Sequence, residues 1–175
     1  PRARRAPATT RPAARPKCCA ARPVNDDIDR IMAVMLAAFD PAYGEAWNRR
    51  QVEDSLLLGS CHYELADEHG LSPPTGAQAA GFALSRTGFE EEELLLFAVD
   101  PRHRRRGIGR RLLSRFEAAA RSRGAARLLL EMRKGNEAEY LYREAGFTPI
   151  GLRPQYYRTP GGERLDAITF CKNLA

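Results

Sequence analysis

The stretch Val99-Asp100-Pro101-Arg102-His103-Arg104-Arg105-Arg106-Gly107-Ile108-Gly109-Arg110 decides how this sequence is read. Before it, Leu94 to Val99 is an unbroken apolar run, which predicts a strand over Glu93–Val99 buried on both faces. After it, Ile108, Leu112, Leu113, Phe116 and Ala119 share one helical stripe, while Arg110, Arg111, Arg115 and Arg121 fall largely elsewhere. Asp100-Pro101 ends the strand, and Gly124 is suited to stop the helix. A basic glycine loop thus joins a buried strand to the start of an amphipathic helix. Gly107 and Gly109 have no side chain to hold a phosphate away from the backbone N–H groups. The helix N-terminus adds partial positive charge there and the arginines add full charges. The stretch is a candidate pyrophosphate site. Short glycine motifs are weak alone, and a basic turn with helix-starting glycines is the plainer alternative.

Toward the C-terminus, Arg127–Glu131 carries the apolar triplet Leu128-Leu129-Leu130 and reads as a second buried strand. Asn136 can cap a helix running to Ala145, with Gly146 ending it. Strands around Thr148–Tyr156 and Leu165–Lys172 flank a turn at Pro160-Gly161-Gly162. Toward the N-terminus, Ala80–Arg86 and Ser60–Ala66 read as strands joined by a Gly- and Pro-rich loop over 67–77. A short helix is expected at Arg49–Leu57. Another begins after Asn25, where Ile28, Ile31, Met35, Leu36 and Phe39 recur at helical steps behind Asp26, Asp27 and Asp29. The order α, α, β, β, β, α, β, α, β, β implies an α/β protein: a central mixed sheet with helices on both faces.

The 175 residues suit one domain with a tail, and 43% hydrophobic content can fill one core. The net charge of +6 is uneven. Residues 1–23 hold seven basic and no acidic side chains, while the remaining 152 residues carry 21 bases and 22 acids. Residues 1–23 are expected to be a disordered basic tail and 24–175 the folded domain. No apolar run approaches the ~18 residues that span a bilayer, so no membrane partner is expected. Cys18, Cys19, Cys61 and Cys171 match no zinc pattern. They are expected to be reduced, as in a cytoplasmic protein, and no metal is expected. The folded part is near neutral, with its arginines gathered at the glycine loop. That argues against specific nucleic-acid binding by the domain, although a basic RNA- or ribosome-binding protein is the alternative from another class.

Arg104-x-x-Gly107-x-Gly109 after an apolar strand is followed by Gly124, by Leu130-Glu131-Met132-Arg133-x-x-Asn136, and by Leu141-Tyr142-x-x-x-Gly146-Phe147. This succession resembles the GNAT (GCN5-related N-acetyltransferase) superfamily. Arg153-x-x-Tyr156-Tyr157, then Gly162 and Asp166-Ala167, resembles its RimI branch, the ribosomal-protein-alanine N-acetyltransferases. The resemblance spans residues 25–173. It implies the GNAT fold, with acetyl-CoA as cosubstrate between the strands Glu93–Val99 and Arg127–Glu131.

By that resemblance, the backbone of Phe97, Ala98 and Val99 pairs with the pantetheine arm. Arg105, Arg106, Gly107, Ile108, Gly109 and Arg110 cradle the pyrophosphate, and Asn136 bonds the cofactor. Glu131 is the general base, Tyr142 the general acid toward the thiolate, and Tyr156 and Tyr157 wall the peptide site. The implied acceptor is a protein N-terminus, the alanine of a small-subunit ribosomal protein. A lysine, a polyamine or a small-molecule amine is the alternative acceptor. On the residues alone, Glu131 could instead pair with Arg133 or Arg127, Tyr142 could be a core residue, and the tyrosine pair ordinary strand aromatics. The run Glu90–Glu93 reads as a solvated strand entrance or as a lure for a cationic substrate. Two features depart from the family pattern: Asn136 and Tyr142 stand one residue closer together, and Leu165 occupies a position where relatives carry Glu.

Overall fold

The structure, a computed structural model, describes residues 26–174. The basic segment 1–23, with Cys18 and Cys19, lies outside the described residues. Cys61 and Cys171 are free thiols.

The helix α1 (Asp27–Ala38) starts where the Asp26 carboxylate accepts from the Asp29 N–H. It buries Ile31, Val34 and Met35, whereas Leu36 is 78% exposed. Leu36 therefore leaves the expected stripe, because one residue past Met35 the helix has already turned ~100°. The helix α2 (Arg49–Leu57) begins at a reciprocal cap between Asn48 and Gln51. Then come β1 (Cys61–Ala66), β2 (Gly81–Thr87), β3 (Glu91–Val99), α3 (Ile108–Ser122), β4 (Arg127–Arg133), α4 (Glu139–Glu144), β5 (Thr148–Arg158) and β6 (Arg164–Asn173). The six strands form one mixed sheet in the order β1-β2-β3-β4-β6-β5, in which β3 and β4 are the parallel pair. The expected α/β architecture and element order hold.

The helices cover opposite faces. Ile31, Val34, Met35 and Val52 pack on Leu65, Phe82, Leu84, Leu96 and Ala98. On the other face Ile108, Leu112, Leu113, Phe116, Tyr142 and Phe147 pack on Ala83, Leu94, Leu128, Leu130, Met132 and Phe170. The α3 stripe closes on buried Ala120 in place of Ala119. β3 packs into both layers and β4 lies parallel beside it, so those two strands set the geometry of whatever lies between them.

Candidate active site

β3 and β4 are hydrogen-bonded neighbours only from Glu91 and Arg127 to Leu94 and Leu130. Beyond that point β3 stays on β2 while β4 stays on β6. The two strands therefore splay and leave a wedge-shaped opening toward their C-terminal ends. A bulge provides the local cause. Leu84 pairs with Leu96 and Ser85 with Leu94, so Leu95 is an extra residue in β3. The insertion also flips side-chain parity. Leu94 faces α3, Leu96 and Ala98 face α1, and Phe97 and Val99 face α3 again. Both faces of the strand are packed, as expected, with Phe97 and Val99 staying only half-buried beside the wedge.

The closed end is locked by charge. Glu92, fully buried, accepts from both sides of the Arg123 guanidinium and from the Ser85 hydroxyl. Glu91 pairs with Arg127 and Glu93 with Arg86. Glu90 stays exposed, whereas Glu91, Glu92 and Glu93 are engaged by arginines at the end of the strand pair remote from the opening. These three carboxylates clamp that end.

The loop after β3 reaches α3 through two left-handed residues, Arg105 at φ 62° and Gly107 at φ 79°. Gly107 sits at the helix start with no side-chain cap, and the first intrahelical bond there runs from Arg111 N–H to Gly107 C=O. The preceding N–H groups of the first turn are thus aimed outward from the helix end. Gly109 serves packing: a Cβ there would lie 3.3 Å from Leu141, 3.7 Å from Val99 and 3.8 Å from Phe97. Arg104 ties the loop to the Val99 and Ala38 carbonyls, and Arg110 pairs with Glu144 at 2.8 Å. Arg105 and Arg106 form no ion pair among the described residues and are exposed.

Glu131 and Tyr142 flank the opening from opposite faces of the sheet. Leu130 and Met132 point into the α3 core, so Glu131 points the other way. Its carboxylate accepts from the hydroxyl of Thr169, its cross-strand partner, at 3.2 Å and lies 3.4 Å from Arg153. Neither Arg133 nor Arg127 is its partner. Tyr142 comes from α4 on the α3 side, edge-on to Phe97 and Phe147 with ring centres 6.1 and 5.9 Å away. Burial pushes its phenol well above the ordinary value. Tyr140 is 80% exposed and points away.

On the Glu131 face, a second group of side chains converges. In β5 the register slips between Arg153, opposite Ala167, and Tyr157, opposite Leu165. Gln155 within the slip is left-handed, and its N–H is taken by Asp166 at 3.0 Å. The bulge sets Tyr156 and Tyr157 edge-to-face at 5.2 Å. Burial first, then the nearby charges of Glu131 and Glu45, pushes the half-buried Tyr157 phenol up. Glu45 arrives from the loop between α1 and α2, 3.4 Å from Arg133. Its burial raises the carboxyl above the ordinary range, against the opposing pull of Arg133.

The acetyltransferase (GNAT) domain family matches residues 60–149, about half of the chain. The chain belongs to the GNAT acetyltransferase family. Among its relatives, the ribosomal protein bS18-alanine N-acetyltransferase of Escherichia coli K12 is 41% identical over 90 residues, covering 51% of this chain and 60% of that enzyme. The N-alpha-acetyltransferase RimI of Mycobacterium tuberculosis is 40% identical over 107 residues, covering 57% of this chain and 66% of its own length. The match thus spans less than two thirds of these relatives. The crystal structure of the E. coli ribosomal-protein-S18-alanine N-acetyltransferase superposes with a TM-score of 0.70 at 28% identity, over 85% of this chain and 88% of that one.

Within this GNAT domain, Phe97, Ala98 and Val99 line one arm of the wedge and Arg105 to Arg110 cluster at its mouth. Asn136 is committed locally: its carboxamide oxygen accepts from Ala138 N–H at 3.0 Å, two residues before the short α4. Its expected helix is therefore trimmed to Glu139–Glu144. Sequence reading missed Tyr43, Glu45 and Thr169. The latter's place opposite Glu131 follows from register alone, and the α1–α2 loop carries no motif. No helix among the described residues is long and apolar enough to cross a membrane.

Proposed function

We propose that this chain is an acetyl-CoA-dependent N-acetyltransferase that modifies the N-terminal α-amine of a protein, the alanine at the start of a small-subunit ribosomal protein. The observation that carries the reading is the wedge between β3 and β4 with Glu131 on one face and Tyr142 on the other. An amine can approach from the Glu131 side while a thiol departs on the Tyr142 side. The names of the relatives at 40–41% identity support the acceptor.

The residues present fit acetyl-CoA. The β3 edge that leaves β4 offers backbone groups of Phe97, Ala98 and Val99 to an amide-bearing arm. The uncapped first turn of α3, with Arg105 and Arg106 exposed beside it, suits a pyrophosphate. Asn136 keeps its amide N–H₂ to donate. Acetyl-CoA supplies an activated acetyl thioester. Glu131, oriented by Thr169, takes the proton that the substrate ammonium must lose before its neutral amine can attack. Tyr142 is held protonated by its burial and donates a hydrogen bond to the sulfur as charge develops there. Tyr156 and Tyr157 crowd the first side chain of the acceptor, which favours alanine.

Acid–base arithmetic favours an α-amine. With a pKa near ~7.8, about a tenth of it is neutral at pH 7, against a few parts in ~10⁴ for lysine near ~10.4. The test compares kcat/KM for a free Ala-starting peptide with that for a lysine peptide whose N-terminus is blocked. The Ala-starting peptide is expected to be faster at neutral pH; faster lysine acetylation overturns the reading.

A further inference from the structure

The α1–α2 loop lies over the acceptor face without being part of the sheet. Over 40–44 its hydrogen bonds close within it: Asp40 accepts from Ala42 N–H, Tyr43 N–H donates to Asp40 C=O, and Gly44 N–H donates to Pro41 C=O. At its α2 end the loop is held by Trp47, which donates its N–H to Met35 Sδ at 3.1 Å and packs on the α1 core. Its attachment across the site is made by Arg133, at the C-terminal end of β4 and on the same strand face as Glu131. The Arg133 guanidinium stacks 3.6 Å from the Tyr43 ring centre, and its Nε lies 3.4 Å from Glu45. Both charged side chains are mostly buried, at 13% and 18% exposure. The Arg133 Nε lacks a well-formed hydrogen bond, so stacking and charge carry the contact. Gly44, left-handed at φ 65°, lets the loop turn against the β5–β6 hairpin, where a Cβ would lie 3.3 Å from Pro160. Glu131 and Arg133 project from the same face of β4, so Glu45, held on Arg133, shares that face with the candidate base, and the charges of both carboxylates act on Tyr157.

We propose that Arg133 is a positioning residue that fastens the loop 40–47 over the end of β4 and so builds one wall of the acceptor site. This rests on the acceptor entering on the Glu131 face, as in the proposed function. The chemistry asks for arginine: a planar cation can stack on Tyr43 with its face and meet Glu45 with its edge, whereas lysine offers a point charge only. An acceptor amine then finds a carboxylate-lined space of fixed width, with Glu45 held back by Arg133.

The test uses the full chain as wild type, Arg133→Met and Arg133→Lys. Hydrogen exchange of the segment 40–47 is read alongside steady-state kinetics with an Ala-starting peptide and acetyl-CoA. In Arg133→Met, exchange should rise in 40–47 while β4 stays protected, and the acceptor KM should rise about tenfold, the loss of one stacked, buried contact. The acetyl-CoA KM should stay within about twofold, as most of the proposed cofactor contacts, at Phe97–Val99 and Arg105–Arg110, lie on the other arm of the wedge. Arg133→Lys should recover part of the acceptor KM through its charge on Glu45. A merely structural role would instead loosen β4 and move both KM values together, and that result overturns the proposal. So does unchanged exchange in 40–47, or a loosened loop with an unchanged acceptor KM. If the wild type turns over no N-terminal peptide but acetylates another amine, the proposed function has failed. The same KM comparison, made with that amine, then decides the role of Arg133.

Discussion

The two sides of the wedge are built differently. The mouth at α3 is made of backbone from one contiguous stretch, Arg104 to Arg110, shaped by a left-handed Gly107 and a side-chain-free Gly109. The acceptor face is made of side chains from separate segments: Tyr43 and Glu45, Glu131 and Arg133, Arg153 to Tyr157, and Thr169. A backbone cradle presents N–H groups whatever its side chains are, which suits a ligand common to a whole family. A convergent side-chain site can be altered one residue at a time, which suits acceptor choice. Substitutions on the first side should thus move cofactor binding, and on the second acceptor handling or turnover.

The largest effect is expected at Glu131. Glu131→Gln keeps the shape and the Thr169 contact but removes the base, and turnover should fall ~10²–10⁴-fold. Acetyl-CoA affinity, measured by calorimetry, should stay near wild type. A comparable loss of affinity would erase the distinction between the two sides. Gly109→Glu should do the reverse. It puts an anion at the helix start and a Cβ against Leu141, so acetyl-CoA affinity should drop by at least about tenfold. Full affinity in a folded Gly109→Glu protein would remove the phosphates from this loop.

Tyr142→Phe belongs to neither side alone, since Tyr142 touches β3 through Phe97. It deletes one hydrogen bond to a charged atom, about 1.5–3 kcal/mol, so kcat should fall roughly 10–100-fold with both KM values little changed. If Tyr140→Phe does the damage instead, α4 is misaligned with the site. The smallest effect is on stability. Gly107→Ala asks an L-residue to hold φ 79°, at about 1–2 kcal/mol, and should lower the midpoint of denaturant unfolding accordingly. An unchanged midpoint would mean the loop relaxes freely and is no preformed cradle.

The same contrast explains what could be read before the structure. The strand–loop–helix at 93–122 was readable because its determinants are consecutive: an apolar run, two glycines and a helical stripe. Glu131 and Tyr142 became candidates through motifs that also lie on regular elements, β4 and α4. The bulge at Leu95 was hidden, because Leu94 to Val99 is apolar on both faces and carries no parity to break. The β5 bulge was hidden too, since Asp166 holding Gln155 N–H is a contact across a hairpin. Glu45 and Arg133 are 88 positions apart in sequence, and only the packing of the α1–α2 loop over the end of β4 brings them together. The acidic run at Glu90–Glu93 misled for a related reason. The buried state of Glu92 depends on Arg123, which only the parallel crossover delivers.

The division between the two sides can be read directly by following backbone amide NMR signals through two successive titrations. Acetyl-CoA alone should shift the amides of Phe97–Val99 and Arg105–Arg110 most, leaving Tyr43–Trp47 and Arg153–Tyr157 nearly still. An Ala-starting peptide added to the CoA-saturated protein should then shift Tyr43–Trp47, Glu131 and Arg153–Tyr157, leaving the α3 first turn in place. Acetyl-CoA perturbing the α1–α2 loop and β5 more than the first turn of α3 would contradict the account.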